Sequence, residues 1–370
     1  MKILYSCLSN SWGGMEMVTI NSIKQLKAKS INVELLCVSG SRIHMEANNL
    51  GIIIYPVKAS GYVHPLLVLK LISIFRQGKY DLIHTHASKD LWLLVPALKM
   101  GRFDTVLIFT KHIGSFINKQ DKIHNWLYNR VNCALAISNV IKQNLIETTS
   151  LSENKIVLHF SGADAKKFNP LTVDPKKVRN KFEIEDNEML LGMIARYSPG
   201  KGHELFIEAA RVLSKKYNNL KFLSIGEASK GEDEYAHDIK ELANKYDLKN
   251  IIFPGFRHDI PDILAAMDIF IFPSMAEAFG MALVEAMAMG KPCVCTKSDG
   301  VLDIATDNET GLLFEKNNVN DMIDKIETLI CSKEIRVKLG NAARERALLL
   351  FNSENQFDRL IEIYKSFLDN

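Results

Sequence analysis

Short apolar runs alternate with longer amphipathic stretches from one end of this chain to the other, and the alternation stops only once. Strand-like runs fall at residues 3–5, 33–38, 52–57, 81–86, 106–110, 134–138 and 156–160, with helical patterns such as 15–29 between most of them. From about 161 to 188 the pattern gives way to turn and breaker residues, Ser161-Gly162-Ala163-Asp164, Asn169-Pro170 and Asp174-Pro175. It then restarts, with strand candidates at 190–195, 222–225, 251–253, 269–272, 293–296 and 311–314, and ends in helical stretches at 319–331, 333–349 and 354–368. Strand–helix alternation of this kind predicts parallel sheets covered by helices on both faces. Interrupted once, it predicts two doubly wound, Rossmann-like α/β domains facing a cleft. The expected boundaries are 1–168, 169–350 and a C-terminal helix at 351–370 that packs back on the first domain.

Composition narrows the setting. Six cysteines in 370 residues, none in a C-x-x-C pair, exclude a disulfide scaffold and suit a reducing cytoplasm. Cys293-x-Cys295 lies in an apolar run and reads as small buried hydrophobes on a strand. No apolar run approaches the roughly 20 residues of a membrane span. The first eight residues are too short and polar-interrupted to read as a signal peptide. Charge is divided unevenly. Residues 1–170 carry 20 Lys/Arg against 10 Asp/Glu, whereas 171–370 carry 26 against 33. A basic half suits an anionic partner. Nucleic acid is disfavoured, because a pI near 8.4 falls below that of a typical nucleic-acid-binding domain.

The densest chemistry lies at 269–292, which reads as strand, loop, helix and stop. Pro273-Ser274 ends the strand, Gly280 opens the helix, and Gly290 with Pro292 closes it. Amides of Phe279, Gly280, Met281 and Ala282 at the start of that helix suit an anion. Glu277 before the helix and Glu285 on its second turn can accept hydrogen bonds from sugar hydroxyls, or be ordinary loop and helix residues.

A second set follows an earlier strand, Ala195-Arg196-Tyr197-Ser198-Pro199-Gly200-Lys201-Gly202-His203. Two cations at a strand's carboxyl end suit a diphosphate. The set is neither a Walker loop nor a dinucleotide fingerprint. In the first half, Gly13-Gly14 follows the first strand, where glycines admit close approach of a ligand. His84-x-His86 and Lys111-His112 each end a strand. The two histidines of His84-x-His86 are expected to be split between opposite faces, which argues against a metal pair. Asp-x-Asp is absent from the sequence, and no catalytic metal is expected.

These residues together resemble the family 4 retaining glycosyltransferases of GT-B fold, across nearly the whole chain and most strongly over 189–316. The motifs that carry the resemblance are Arg196, Lys201-Gly202, Gly255-Phe256, Pro273-Ser274, Glu277 to Glu285 enclosing Phe279-Gly280, Glu285-Ala286-Met287-Ala288 and Gly290-Lys291-Pro292. Gly13-Gly14-x-Glu16 and the strand-ending His112 also match. After Thr296 the family often has two or three glycines, where this chain has Ser298-Asp299-Gly300.

The resemblance implies transfer of a sugar from a UDP- or GDP-sugar, with UDP favoured, to a hydroxyl of a cell-surface glycan or lipid-linked acceptor. The anomeric configuration is retained, and neither a cofactor nor a metal is needed. It implies that Arg196 and Lys201 hold the donor diphosphate, with the amides of residues 279–282. Glu277 would contact the sugar, Glu285 the ribose, and Gly255, Phe256 and Arg257 would lie near the base. His112 would touch the sugar from the other domain, and Gly13, Gly14 and Glu16 would lie near phosphates or acceptor.

A sugar-nucleotide epimerase of the same fold and a non-catalytic sugar-nucleotide-binding protein remain as alternatives. The expected setting is the cytoplasm, with the basic half at the inner face of the membrane. Residues 111–130 favour that surface, because Lys111, Lys119, Lys122 and Arg130 alternate there with Phe116, Trp126 and Tyr128.

Overall fold

The computed structural model describes residues 1–369 except 60 and 230; residue 370, the last of the expected C-terminal segment, lies outside the described residues. The chain divides into two compact units. One comprises Met1–Ser161 with Gln356–Asn370, the other Gly162–Asn355.

The first unit holds seven parallel strands: β1 (Lys2–Cys7), β2 (Asn32–Val38), β3 (Ile54–Val57), β4 (Leu82–Thr85), β5 (Val106–Lys111), β6 (Cys133–Ala136) and β7 (Ile156–Leu158). They are ordered β3-β2-β1-β4-β5-β6-β7. The second holds six: β8 (Met189–Ile194), β9 (Leu220–Ile225), β10 (Ile251–Gly255), β11 (Ile269–Phe272), β12 (Cys293–Thr296) and β13 (Leu312–Phe314). Their order is β10-β9-β8-β11-β12-β13.

In a parallel sheet with helices on both faces, a strand is buried on both sides and reads as a continuous apolar run. All four residues of β6 and of β11 are accordingly buried. The same holds for β12, where Cys293 and Cys295 sit fully buried as free thiols. Several strands outrun their expected bounds, β1 reaching Cys7 and β9 starting at Leu220, and β10 does so through a proline. Expected to end at 253, β10 continues through Pro254 to Gly255, which pairs with Ile225 after a register shift. β10 is an edge strand, where a proline removes no needed ladder bond.

Helix Ser353–Ser366 belongs largely to the first unit. Phe357, Leu360, Ile361 and Tyr364, spaced as one helical stripe, lie in its core with Ile3, Tyr5, Leu35 and Leu82. Among the described residues no helix is long and apolar enough to cross a membrane.

Both sheets reverse direction once. In the first the order departs both ways between β1 and β4, in the second between β8 and β11. Loops leaving the carboxyl ends of two such neighbours run to opposite sides and leave a crevice, the usual ligand site of open α/β sheets.

Candidate active site

The candidate residues fall into two sets, one in each unit; some flank the reversal points, whereas His112 follows β5 and Gly255, Phe256 and Arg257 lie at the edge strand β10. In the second unit, Lys201 leaves β8 and Glu277 leaves β11. Lys201 Nζ donates to Glu277 Oε1 at 2.6 Å, and Ser274 Oγ donates to the same oxygen at 2.9 Å. Both side chains are about one-fifth exposed, 21% and 16%. The two loops are locked by backbone as well. Met275 N donates to Gly200 O at 2.8 Å. Gly202 adopts φ +79°, and a Cβ there would lie 2.2 Å from the Pro273 carbonyl oxygen. Only glycine allows this turn to close on β11.

Arg196 is exposed and donates to Ser229 Oγ at 2.7 Å, so it leans toward the loop after β9. Gly280 caps helix Met281–Ala288 with no side-chain partner, which leaves the helix's first amides to other acceptors. Phe279 is buried and stacks edge-on against Phe351. Met281 and Ala282 are partly exposed.

Glu285 lies one turn further along the same helix. Its surroundings desolvate the carboxyl and push it up to about 7, against a lowering pull from Lys167. Gly255 ends β10 in the left-handed region, and Phe256 beyond it is 56% exposed. Arg257 is held within its own loop, donating from Nε to Asp259 at 2.8 Å. Where the family often carries glycines, Asp299 takes φ +45°. Gly300 N bonds to Glu277 O at 3.0 Å, and a Cβ on Gly300 would lie 2.6 Å from Ala278 O. The Ser298-Asp299-Gly300 loop therefore still packs onto the Glu277 loop.

In the first unit, Gly13 and Gly14 begin helix Gly14–Ala28 after β1. Glu16 is buried and receives the Gly13 amide at 2.9 Å, a capping role that spends its carboxylate on the protein itself. A Cβ on Gly14 would meet nothing within 4 Å, and its φ is not positive. The fold therefore does not require glycine there.

The expectation that His84 and His86 point to opposite faces is wrong. Residues two apart on a strand share a face. Their rings stack with centroids 4.4 Å apart at 24°. His84 is a satisfied core residue, bonded to Tyr364 Oη and, at 2.7 Å, to Thr110 Oγ1. His86 Nδ1 lies 3.1 Å from Nε2 of His112, just beyond β5, and burial pushes His112 down to about 4.

Residues 111–130 divide differently from expectation. Phe116 and Trp126 are exposed, but Tyr128 is 2% exposed and packs on Phe109. Lys111 is buried, and its burial pushes it down to about 8. Arg130 spends its guanidinium on Phe103 O, Thr105 O and Asn132 Oδ1. These three are not free surface groups: Tyr128 fills the core, Lys111 is buried, and Arg130 satisfies carbonyls of the loop that leads into β5.

Trp126 instead joins an apolar groove of about 390 Å³ with Tyr62, Leu69, Trp92, Met100 and Ile123. Lys99 Nζ stands 4.4 Å over the Trp126 ring and Lys89 Nζ 5.7 Å over Tyr62.

Sequence reasoning passed over Ser274 as a binder, although it stands in the loop already singled out. It also missed Asp90, a buried acid raised to about 6 by desolvation. Asp90 accepts from Ser6 Oγ, Leu8 N and Thr85 Oγ1, tying the ends of β1 and β4 together. No motif signals it.

Two family profiles tile the chain. The one described as Glycosyltransferase Family 4 matches residues 12–167, and the one described as Glycosyl transferases group 1 matches 174–346. The capsular polysaccharide biosynthesis glycosyltransferase CapM of Staphylococcus aureus is 24% identical, over 94% of this chain and 93% of its own. The UDP-Gal:alpha-D-GlcNAc-diphosphoundecaprenol alpha-1,3-galactosyltransferase of Escherichia coli is 25% identical over 100% and 98%. A crystal structure of a glycosyltransferase from Rickettsia africae superposes with a TM-score of 0.91, 25% identity and 100% and 99% coverage. The chain belongs to the family 4 glycosyltransferases and has the GT-B fold.

Proposed function

We propose that this glycosyltransferase takes a UDP-sugar and transfers the sugar, with retention and without a metal, to a hydroxyl of a lipid-linked or cell-surface glycan. The observation that carries the reading is the Lys201–Glu277 pair at the β8/β11 reversal. It sets a cation and a carboxylate side by side where a sugar diphosphate presents an anion and hydroxyls. Lys201 has three N–H donors. One serves Glu277, leaving others for a phosphate oxygen. Glu277 receives both its bonds on Oε1, so Oε2 is the oxygen offered to a sugar hydroxyl.

As the glycosidic bond breaks, positive charge grows on the sugar and negative charge on the diphosphate. Lys201, Arg196 and the amides at the start of helix Met281–Ala288 oppose the latter charge, and preorganised donors of this kind are commonly the largest catalytic term. The leaving phosphate oxygen then takes the acceptor's proton on the same face of the sugar. These fixed cations do the work that a divalent ion does elsewhere, which supports a metal-free reaction.

The donor assignment is supported by the UDP-Gal named for the Escherichia coli relative, and the lipid carrier by its diphosphoundecaprenol acceptor. The apolar groove with Lys89 and Lys99 at its aromatic rings favours a lipid surface for the first unit.

Thermal protection by UDP-sugars beyond that by GDP- or ADP-sugars is expected. Turnover with a polyprenyl-diphosphate-linked sugar should then give, by NMR, a product of the donor's anomeric configuration. An inverted product refutes retention. Isomerised donor in the absence of acceptor establishes the epimerase instead, and protection without any turnover a binding protein.

A further inference from the structure

We infer that His86 is a positioning residue for His112: its Nδ1–H donates to His112 Nε2 and so fixes His112 as a hydrogen-bond donor through Nδ1. The inference rests on the reading that His112 touches the transferred sugar.

His86 Nδ1 and His112 Nε2 are 3.1 Å apart, with ring centroids at 5.3 Å and planes 27° apart. Two imidazoles meeting edge to edge have that spacing, whereas a face stack is closer, as in the 4.4 Å pair His84–His86. One of the two nitrogens must carry the shared proton. Burial holds both rings below the usual histidine range, His112 at about 4, so both are neutral at neutral pH.

Two arrangements remain. If His112 donated from Nε2, His86 would accept on Nδ1 and carry its own proton on Nε2. That Nε2 is buried and has no hydrogen-bond partner among the described residues. Either arrangement leaves Nε2 without a partner, and, as with backbone groups, where an orphaned N–H is rarer than an under-satisfied carbonyl, the bare nitrogen is favoured. The other arrangement puts the His86 proton on Nδ1, where it is used, and leaves a bare Nε2. His112 must then carry its proton on Nδ1, since the hydrogen bond made by one ring nitrogen sets the state of the other.

His86 is well placed to impose this. It is 3% exposed, its ring lies on His84 and tilts against Tyr5 at 5.2 Å, and its backbone N–H bonds to Ser6 O. His84 is itself fixed by Tyr364 and Thr110. A chain of rings thus runs from the core of the first unit to His112. The consequence is chemical: His112 offers an N–H to a sugar oxygen and does not take the acceptor's proton, which agrees with a leaving phosphate as the base.

Nitrogen-15 NMR of histidine-labelled protein tests this directly. His112 should show the Nδ1–H tautomer at pH 7 in the wild type. His86→Phe keeps the ring but removes the donor, and His112 should become a tautomer mixture, with kcat falling about tenfold and donor KM nearly unchanged. His86→Asn places an amide N–H near the Nδ1 position and should restore kcat to within about threefold. An Nε2–H tautomer at His112 in the wild type overturns the inference, whether or not any variant folds. So does an unchanged tautomer in His86→Phe. His112→Ala separates the underlying reading: wild-type turnover there removes His112 from the reaction, while the NMR result still decides the tautomer.

Discussion

Lys201 Nζ and Glu277 Oε1 are 2.6 Å apart although 76 residues separate them in sequence. The pair spans the point where the second sheet changes direction. It is held by Ser274 Oγ on the carboxylate and by the close approach of Gly202 to the Pro273 carbonyl.

Lys201→Ala should lower kcat by about 10²-fold or more, as loss of a transition-state donor does. Glu277→Gln should lower it as well. The double variant should lose less than the product of the two single losses, because each single change leaves the other charge half-buried and unpaired. A kinetic double-mutant cycle measures this, and additive losses would mean the two act independently.

Gly202→Ala should lower stability by more than about 1 kcal/mol, since alanine is strained at positive φ and its methyl meets backbone oxygen. Chemical denaturation reads the change. Donor affinity should fall in the same variant, because the Lys201 loop can no longer seat on β11.

Glu285 links stability to pH. Its carboxyl sits at about 7 in the fold against 4.5 ordinarily. Between these values the folded chain binds the proton that the unfolded chain releases. The stabilisation is therefore full below about 4.5, is lost as pH rises, and is gone above about 7. Glu285→Gln should remove that dependence and be the more stable protein at pH 8, by up to about 3 kcal/mol. If Glu285 accepts from ribose hydroxyls, as the resemblance implies, the variant should also bind the donor more weakly, having one acceptor oxygen where the carboxylate has two. Denaturation at pH 5 and pH 8 with nucleotide titration checks both; a variant less stable at pH 8 contradicts the assignment.

Vesicle sedimentation should show binding to anionic and not to neutral lipid, weakening with salt. Each basic group near an anionic leaflet contributes roughly 1 kcal/mol. Replacing Lys89, Lys99 and Lys122 by Glu should release the protein, and Trp126→Ser should weaken it. Arg130→Ala should instead destabilise the fold, because its guanidinium caps carbonyls.

Turnover should persist in excess EDTA at the rate seen without it. Loss of activity restored by Mg²⁺ or Mn²⁺ would show that Arg196 and Lys201 do not suffice.

The sequence by itself determined the two parallel sheets, because a strand buried on both faces must be apolar along its length. That requirement is written in runs such as Ile269–Phe272. It determined the loops that carry Lys201 and Glu277 for a similar reason: glycine and proline mark turns whatever lies around them.

What only the tertiary structure decided was which polar groups face one another. Glu16 caps its own helix, Arg130 turns to loop carbonyls, Tyr128 turns to the core and Asp90 joins β1 to β4. A local pattern records how often a residue is buried, but a hydrogen bond needs a partner brought from elsewhere in the chain. His86 shows the difference: its place just past β4 is local, yet its bond to His112 exists only because β4 and β5 pair side by side.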